Sequence, residues 1–306
     1  MDAQLVWTTW RRVLRGEYPM ETIVSPGNQD AGQSAAPSPT EIEILADYAS
    51  TPVATDINIG MYRRGLVRNA LAALSLVPLT RHLFCMGHLD VRAVAADFTK
   101  STGYVDYGPN IWGIAADFIA YLATLPEFAA PPRRDVLALD AALVALARRL
   151  GVSGPRMWPE DSASSQPVTT VGDDSETARF VSSRAAVAVS SSHDLTAWIE
   201  NPEGFDGHRN LDATPRHWLI YFPAADAAPE YAELSDRASA ILTLLATPRT
   251  VSEVSLALEG VSPAEARKAI ASLVRLGVVS PYGNLANPWQ DHIGQGVRVA
   301  VLEGAE

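Results

Sequence analysis

The run from His217 to Ser280 restricts what this chain can fold into more than any other stretch. It holds a short apolar strand at Arg216 to Phe222, a second at Glu230 to Leu234, and a helix from Ser235 to Ala246. Two more helices then open with a hydroxyl residue three places before a glutamate: Thr250 with Glu253, and Ser262 with Glu265. At that spacing the hydroxyl accepts the third helical amide while the glutamate turns back to the first residue's own amide, so each pair marks a helix start. Pro263 stands at the first helical position, where no amide hydrogen is needed. Gly277 stops the last helix before the short strand Val278-Val279.

Strands followed by three helices in so short a span predict a compact unit, winged-helix-like with a small antiparallel sheet. Its last helix puts Ala266, Ala269, Ile270 and Leu273 on a core face and Lys268, Ser272 and Arg275 outside. The strand Glu230 to Leu234 directs Tyr231 and Glu233 to one side and Ala232 and Leu234 to the other. An extended peptide pairing with that strand as an exposed edge, its side chains lying against the last helix, is one way such a unit recognises a partner.

The N-terminal half reads as a helical bundle. Short helical turns are expected over Trp7 to Leu14, and a helix capped by Thr40 and Glu43 runs to about Tyr48. Tyr62, Leu66, Ala70, Leu74 and Val77 recur at helical spacing within Ile59 to Val77, and Pro78 marks a break or kink. Further helices are expected at Leu89 to Thr99, Gly113 to Leu125 and Asp135 to Leu150. The whole is α+β: a helical domain over 1–158 with a flexible Pro/Ser/Gly-rich loop at 25–40, a polar, acidic linker at 159–177, a winged-helix-like domain at 178–283 with a first strand from Arg179 to Val189, and a tail at 284–306 with a strand near Val297 to Leu302.

Charge narrows the partners. The chain of 306 residues has 35 acidic and 24 basic side chains, a net charge of -11, whereas nonspecific nucleic-acid binding draws its strength from Lys and Arg meeting phosphates. The one cysteine, Cys85, permits no internal disulfide, and the start MDAQLVWTTW lacks a basic segment leading into an apolar run. No window reaches the roughly 20 apolar residues of a spanning helix. A cytoplasmic protein that enters neither membrane nor nucleic acid is expected.

Candidate chemistry is sparse. Ser192, His193 and Asp194 are the residue types of a hydrolytic triad, but consecutive side chains diverge and do not relay a proton; a polar turn after a strand is the alternative. His82, Cys85 and His88 converge on a metal only if the backbone stays helical through Gly87; the alternative is a helix end. His208, His217 and His292 lack ligand spacing, and no Walker loop, dinucleotide fingerprint or paired-cysteine signature occurs. No catalytic residue, metal ligand or cofactor is assigned to this chain. A face formed by Arg63, Arg64 and Arg68 is a candidate partner interface, the alternative being an ordinary solvated helix face.

Two segments carry a resemblance. MYRRGLVRNALAALSLVPLTRHLF with AADFTKSTGYVDYGPNIWGIAADFIAYL resembles the helical domain of a bacterial family named for DNA binding, matching at Tyr62, Arg63, Leu66, Leu74, Pro78, Leu79, Phe98, Phe118 and Leu122. SDRASAILTLLATPRTVSEVSLALEGVSPAEARKAIASLVRLGVV resembles the RiPP recognition element, which holds leader peptides in ribosomal-peptide biosynthesis. The combination is similar to the accessory proteins of methanobactin and 3-thiaglutamate biosynthesis. The resemblance implies a noncatalytic subunit that binds a precursor peptide and forms a heterodimer with a TIM-barrel iron-dependent enzyme, the iron belonging to that partner. The strand-pairing reading above makes Glu230, Tyr231, Ala232, Glu233, Lys268, Ser272 and Arg275 the candidate peptide-binding residues, the alternative for the helix residues being a solvated basic face. The insertion near Pro37, the acidic linker and the tail after Tyr282 have no counterpart in the resemblance. The rival readings are a winged-helix transcriptional regulator on DNA and a stand-alone hydrolase or metalloenzyme.

Overall fold

The computed structural model describes residues 2–18, 37–86, 89–151, 177–201, 212–223, 227–282 and 299–301. Most of the loop expected at 25–40 and nearly all of the linker expected at 159–177 lie outside them. The fold is mixed α+β. In chain order its elements are α1 (Ala3–Leu14), α2 (Pro39–Ala49), α3 (Pro52–Ala73), α4 (Pro78–Met86), α5 (Val91–Ser101), α6 (Ile111–Leu122) and α7 (Pro131–Leu150), then β1 (Arg179–Ser182), β2 (Ala186–Ser191), α8 (Thr196–Glu200), β3 (Arg216–Tyr221) and β4 (Glu230–Leu234). After these come α9 (Asp236–Leu244), β5 (Arg249–Thr250), α10 (Val251–Ala257), α11 (Pro263–Arg275), β6 (Val279–Pro281) and β7 (Val299–Val301). No described helix is long and apolar enough to cross a membrane.

The chain divides into two compact units, Met1–Leu74 with Leu89–Ile114, and Ser75–His88 with Ala115–Glu306. This corrects the boundary expected at the linker. Helices α4 and α7 pack on each other, and α7 packs on β2 and β3, so both belong with the sheet rather than with the N-terminal helices. Periodicity identifies a helix's buried stripe but not the element that covers it, which is why the linker looked like the division.

In the first unit, α1, α2 and α3 enclose Val13, Leu14, Tyr18, Leu45 and Ile59. Helix α2 is capped by Ser38 and Glu41, not by Thr40 and Glu43: the Ser38 hydroxyl accepts from Glu41 N at 3.3 Å and Glu41 Oε2 accepts from Ser38 N at 2.8 Å. Pro39 at the first helical position fixes the start two residues earlier. Glu41 also takes Arg12 Nη1 at 2.7 Å, joining α2 to α1. Burial opposes its ionisation, but the hydrogen bonds from Ser38 and Arg12 outweigh that and hold its carboxyl below the usual value. Helix α3 begins at Pro52, well before the expected Ile59. Its first turns carry Val53, Ile57 and Met61 on an exposed face, so no core stripe announces them.

The break expected at Pro78 is present: α3 ends at Ala73, a 3-10 turn spans Leu74–Leu76, and Pro78 opens α4. The stretch Arg179 to Val189, expected as one strand, is two, because the chain leaves one sheet and enters another at Ser183–Ala185. Ser182 N donates to Leu245 O and Ser183 N to Val278 O, both at 2.8 Å, before Phe222 N donates to Ala185 O in the second sheet at 3.0 Å. The first sheet is antiparallel with order β5-β1-β6. The second has the order β2-β3-β4-β7, antiparallel except that β7 runs parallel to β4.

Both faces of the second sheet are covered. Leu219, Tyr221, Ala232 and Leu234 join Ile241, Val254, Ile270 and Leu273 of α9, α10 and α11 in one apolar cluster. On the other face, beside buried Trp218 and Ile220, Tyr231 lies close enough to α7 to feel the charge of Asp140. Each such aliphatic side chain removed from water contributes about 1.5–3 kcal/mol. The capping boxes of α10 and α11 form as expected, Thr250 with Glu253 and Ser262 with Glu265.

Candidate peptide-binding edge

Strand β4 has β3 on one side, with Trp218 opposite Glu233, Leu219 opposite Ala232 and Ile220 opposite Tyr231. On its other side β7 pairs in parallel, setting Tyr231 against Val299, Ala232 against Ala300 and Glu233 against Val301. The sequence led us to expect β4 as an unpaired edge, and this is corrected: the chain's own tail occupies it. Nothing local in the sequence signals this, because β7 follows β6 in the chain yet pairs with a strand of the other sheet.

The side chains alternate as expected. Ala232 and Leu234 enter the core under α9, α10 and α11. Tyr231 is buried, and its hydroxyl has no hydrogen-bond partner. Burial, and then the nearby Asp140, hold its phenol well above the ordinary value. Glu233 accepts from Arg216 Nη1 at 2.9 Å, and Arg216 Nη2 donates to Asp194 Oδ2 at 2.9 Å. Asp194 in turn takes Thr196 N at 2.9 Å and the Thr196 hydroxyl at 2.6 Å. Burial works against its ionisation, but these bonds from Thr196 and Arg216 prevail and lower its pKa. Glu230 accepts a short hydrogen bond from the Tyr221 hydroxyl. Burial, followed by that carboxylate, pushes the Tyr221 phenol up. The β4 side chains are thus committed to their own fold, and its backbone is paired on both sides, by β3 and by β7.

Lys268, Ser272 and Arg275 form a group of their own along α11. Arg275 Nη2 donates to the Ser272 hydroxyl at 3.1 Å, and that hydroxyl donates to Lys268 O at 3.1 Å. Lys268 and Arg275 are exposed.

The face expected of Arg63, Arg64 and Arg68 is not one face. Arg64 and Arg68 are exposed, one helical turn apart. Arg63 turns away, its guanidinium lying 4.3 Å from the centre of the Tyr104 ring. Tyr104 holds a left-handed backbone conformation at φ 55°, with its amide bonded to Thr99 O at 2.8 Å. Arg63 is therefore part of the packing of the first unit.

Ser192 and His193 meet a residue that sequence reading passed over. Asp135 Oδ2, from the first turns of α7, accepts from Ser192 N at 2.9 Å and the Ser192 hydroxyl at 2.8 Å, and lies 2.9 Å from His193 Nδ1. The Ser192 hydroxyl is also 2.9 Å from His193 Nδ1. In a relay the imidazole uses one nitrogen for the acid and the other for the nucleophile. Here both meet the same nitrogen, so the cluster pins the turn after β2 to α7 and has no relay geometry. Asp194 faces Arg216 instead. His88, His208 and His292 lie outside the described residues, Cys85 is exposed, and His217 Nδ1 lies 2.8 Å from the Ser190 hydroxyl. Among the described residues, no three of His, Cys, Asp and Glu are grouped to hold a metal.

No protein-family model and no curated protein matches this chain.

Proposed function

We propose that this chain is a noncatalytic recognition subunit that binds the leader of a ribosomally made precursor peptide and presents its cysteine to a partner TIM-barrel iron-dependent oxygenase. In this reading α9, α10 and α11, with β5, β1 and β6, are the winged-helix part of a peptide-recognition domain. The N-terminal helices are a bundle that serves the partner, through the exposed Arg64 and Arg68. Iron belongs to the partner, and the protein works in the cytoplasm.

The observation that bears most directly on the reading is that the outer backbone of β4 pairs with a strand from a segment remote in the chain, so a guest strand pairs there only by displacing β7. Strand addition supplies affinity through main-chain hydrogen bonds, with neighbouring side chains setting selectivity. Holding a leader in this way raises the local concentration of the attached cysteine to roughly millimolar, so the enzyme need not grip the reacting residue itself.

Fluorescence anisotropy with a labelled precursor peptide tests the reading. Saturable binding by this protein, alone or with its partner, is expected, and Lys268→Ala with Arg275→Ala weakens it. No binding in either setting ends the recognition claim. The exposed Lys268 and Arg275 favour one other reading, a DNA-binding regulator. That reading requires tight duplex binding with a steep loss of affinity as salt rises.

A further inference from the structure

We infer that Val299-Ala300-Val301 is a built-in stand-in for the guest strand. The β4 edge takes a short, uncharged, extended segment running parallel to β4, and the tail must leave that edge before such a guest can pair. This rests on the recognition reading above and adds to it the direction of the guest, its chemical class and a competitor.

Among the described residues the tail strand differs from the other strands: their ladders are antiparallel, and that of β7 is parallel. It follows β6 in the chain but joins the sheet to which β6 does not belong. Its ladder spans Tyr231 to Glu233, short of both ends of Glu230–Leu234. Parallel pairing is slightly weaker per residue than antiparallel, and three residues of it make a marginal ladder.

The rest of the sheet does not depend on β7. Ala232 and Leu234 are buried with α9, α10 and α11, and β4 keeps its full register with β3. The outward amides and carbonyls of β4 serve one neighbour at a time, so the tail and a guest exclude each other. What the tail presents is therefore informative: the edge accepts Val-Ala-Val, two β-branched residues around a small one, a combination suited to extended backbone. A tethered strand of this kind acts at an effective concentration on the order of millimolar. A guest supplied at micromolar concentration meets that competition, and its apparent affinity falls accordingly.

The test uses a fluorescein-labelled peptide with the chain's own sequence from Gly296 to Gly304, titrated into the full chain and into the full chain carrying Ala300→Pro. Proline removes an amide hydrogen and resists a regular ladder. The variant is expected to bind the peptide about tenfold more tightly than the unaltered chain, a gain of about 1.4 kcal/mol. Equal affinities, or no binding by either chain, overturn the inference.

Hydrogen exchange on the unaltered chain guards against misfolding of the variant. Excess peptide is expected to unprotect the chain's own Val299–Val301 amides, and unchanged exchange overturns the proposal. The labelled precursor leader separates the two readings. If Ala300→Pro binds the tail peptide but not the leader, self-occupancy of the edge stands and leader recognition falls. If both chains bind the leader equally, recognition stands and the competitor falls.

Discussion

Asp140 Oδ2 accepts a hydrogen bond from the Thr80 amide at 2.6 Å, so a fully buried carboxyl of α7 caps the opening turn of α4. The first amides of a helix have no partner within it. Pro78 removes one of them, and Asp140 satisfies the Thr80 amide from a position 60 residues away in the chain. The site is incompletely satisfied: Asp140 Oδ1, the Thr80 hydroxyl and the Tyr231 hydroxyl are buried without partners. Burial pushes the Asp140 carboxyl up to about 7.

A pH dependence follows. Because the folded carboxyl binds its proton more tightly than the unfolded one, its stabilising contribution is fully present below the ordinary value near 3.8 and is lost as pH rises through about 7. At about 1.36 kcal/mol per pKa unit, the loss is on the order of 4 kcal/mol. Urea unfolding from pH 5 to 8 is expected to show declining stability, and Asp140→Asn, which cannot ionise, is expected to flatten that slope. An equal slope in both proteins contradicts this account of Asp140.

Asp135→Ala is expected to cost roughly 1–3 kcal/mol, since it leaves Ser192 N, the Ser192 hydroxyl and His193 Nδ1 without their shared acceptor. Denaturant midpoints measure it. Ser192→Ala removes one of those contacts and should cost less, with the Ser192 amide still held by Asp135.

Thr250→Ala and Ser262→Ala each remove a capping hydroxyl and are expected to destabilise by about 1 kcal/mol. Because the two helix starts are separate, the double variant should lose close to the sum, read from the same unfolding curves.

The three arginines of α3 are expected to separate by phenotype. Arg63→Ala removes the contact with Tyr104 and should lower stability by about 0.5–1 kcal/mol. Arg64→Glu with Arg68→Glu leaves stability nearly unchanged and, under the proposed function, weakens pull-down of the iron enzyme. Undiminished capture by the double variant would remove this face from the interface.

What could be read from the chain was local. Thr250 with Glu253 and Ser262 with Glu265 are three residues apart, and the structure forms both boxes. The error at α2 was of the same kind: Ser38-Pro-Thr-Glu41 repeats the pattern of Ser262-Pro-Ala-Glu265, and Thr40 with Glu43 imitated it two residues later. The alternation of β4 was legible too, because the placing of Ala232 and Leu234 on one face and Tyr231 and Glu233 on the other follows from the pleat alone. What stayed hidden depends on separation in the chain. Asp135 reaches Ser192 across 57 residues and Arg216 reaches Glu233 across 17, and neither acid differs in sequence from a solvated one. The capture of β4 by β7 is of this sort.

Helices lie on both faces of the β2-β3-β4 layer, so any molecule that joins it must come in sideways. A visitor at that rim is met first by peptide groups, which are nearly the same in every protein. Under the proposed function, selectivity is then imposed by what borders the rim, and a resident segment that has to be evicted sets a threshold that chance encounters do not cross.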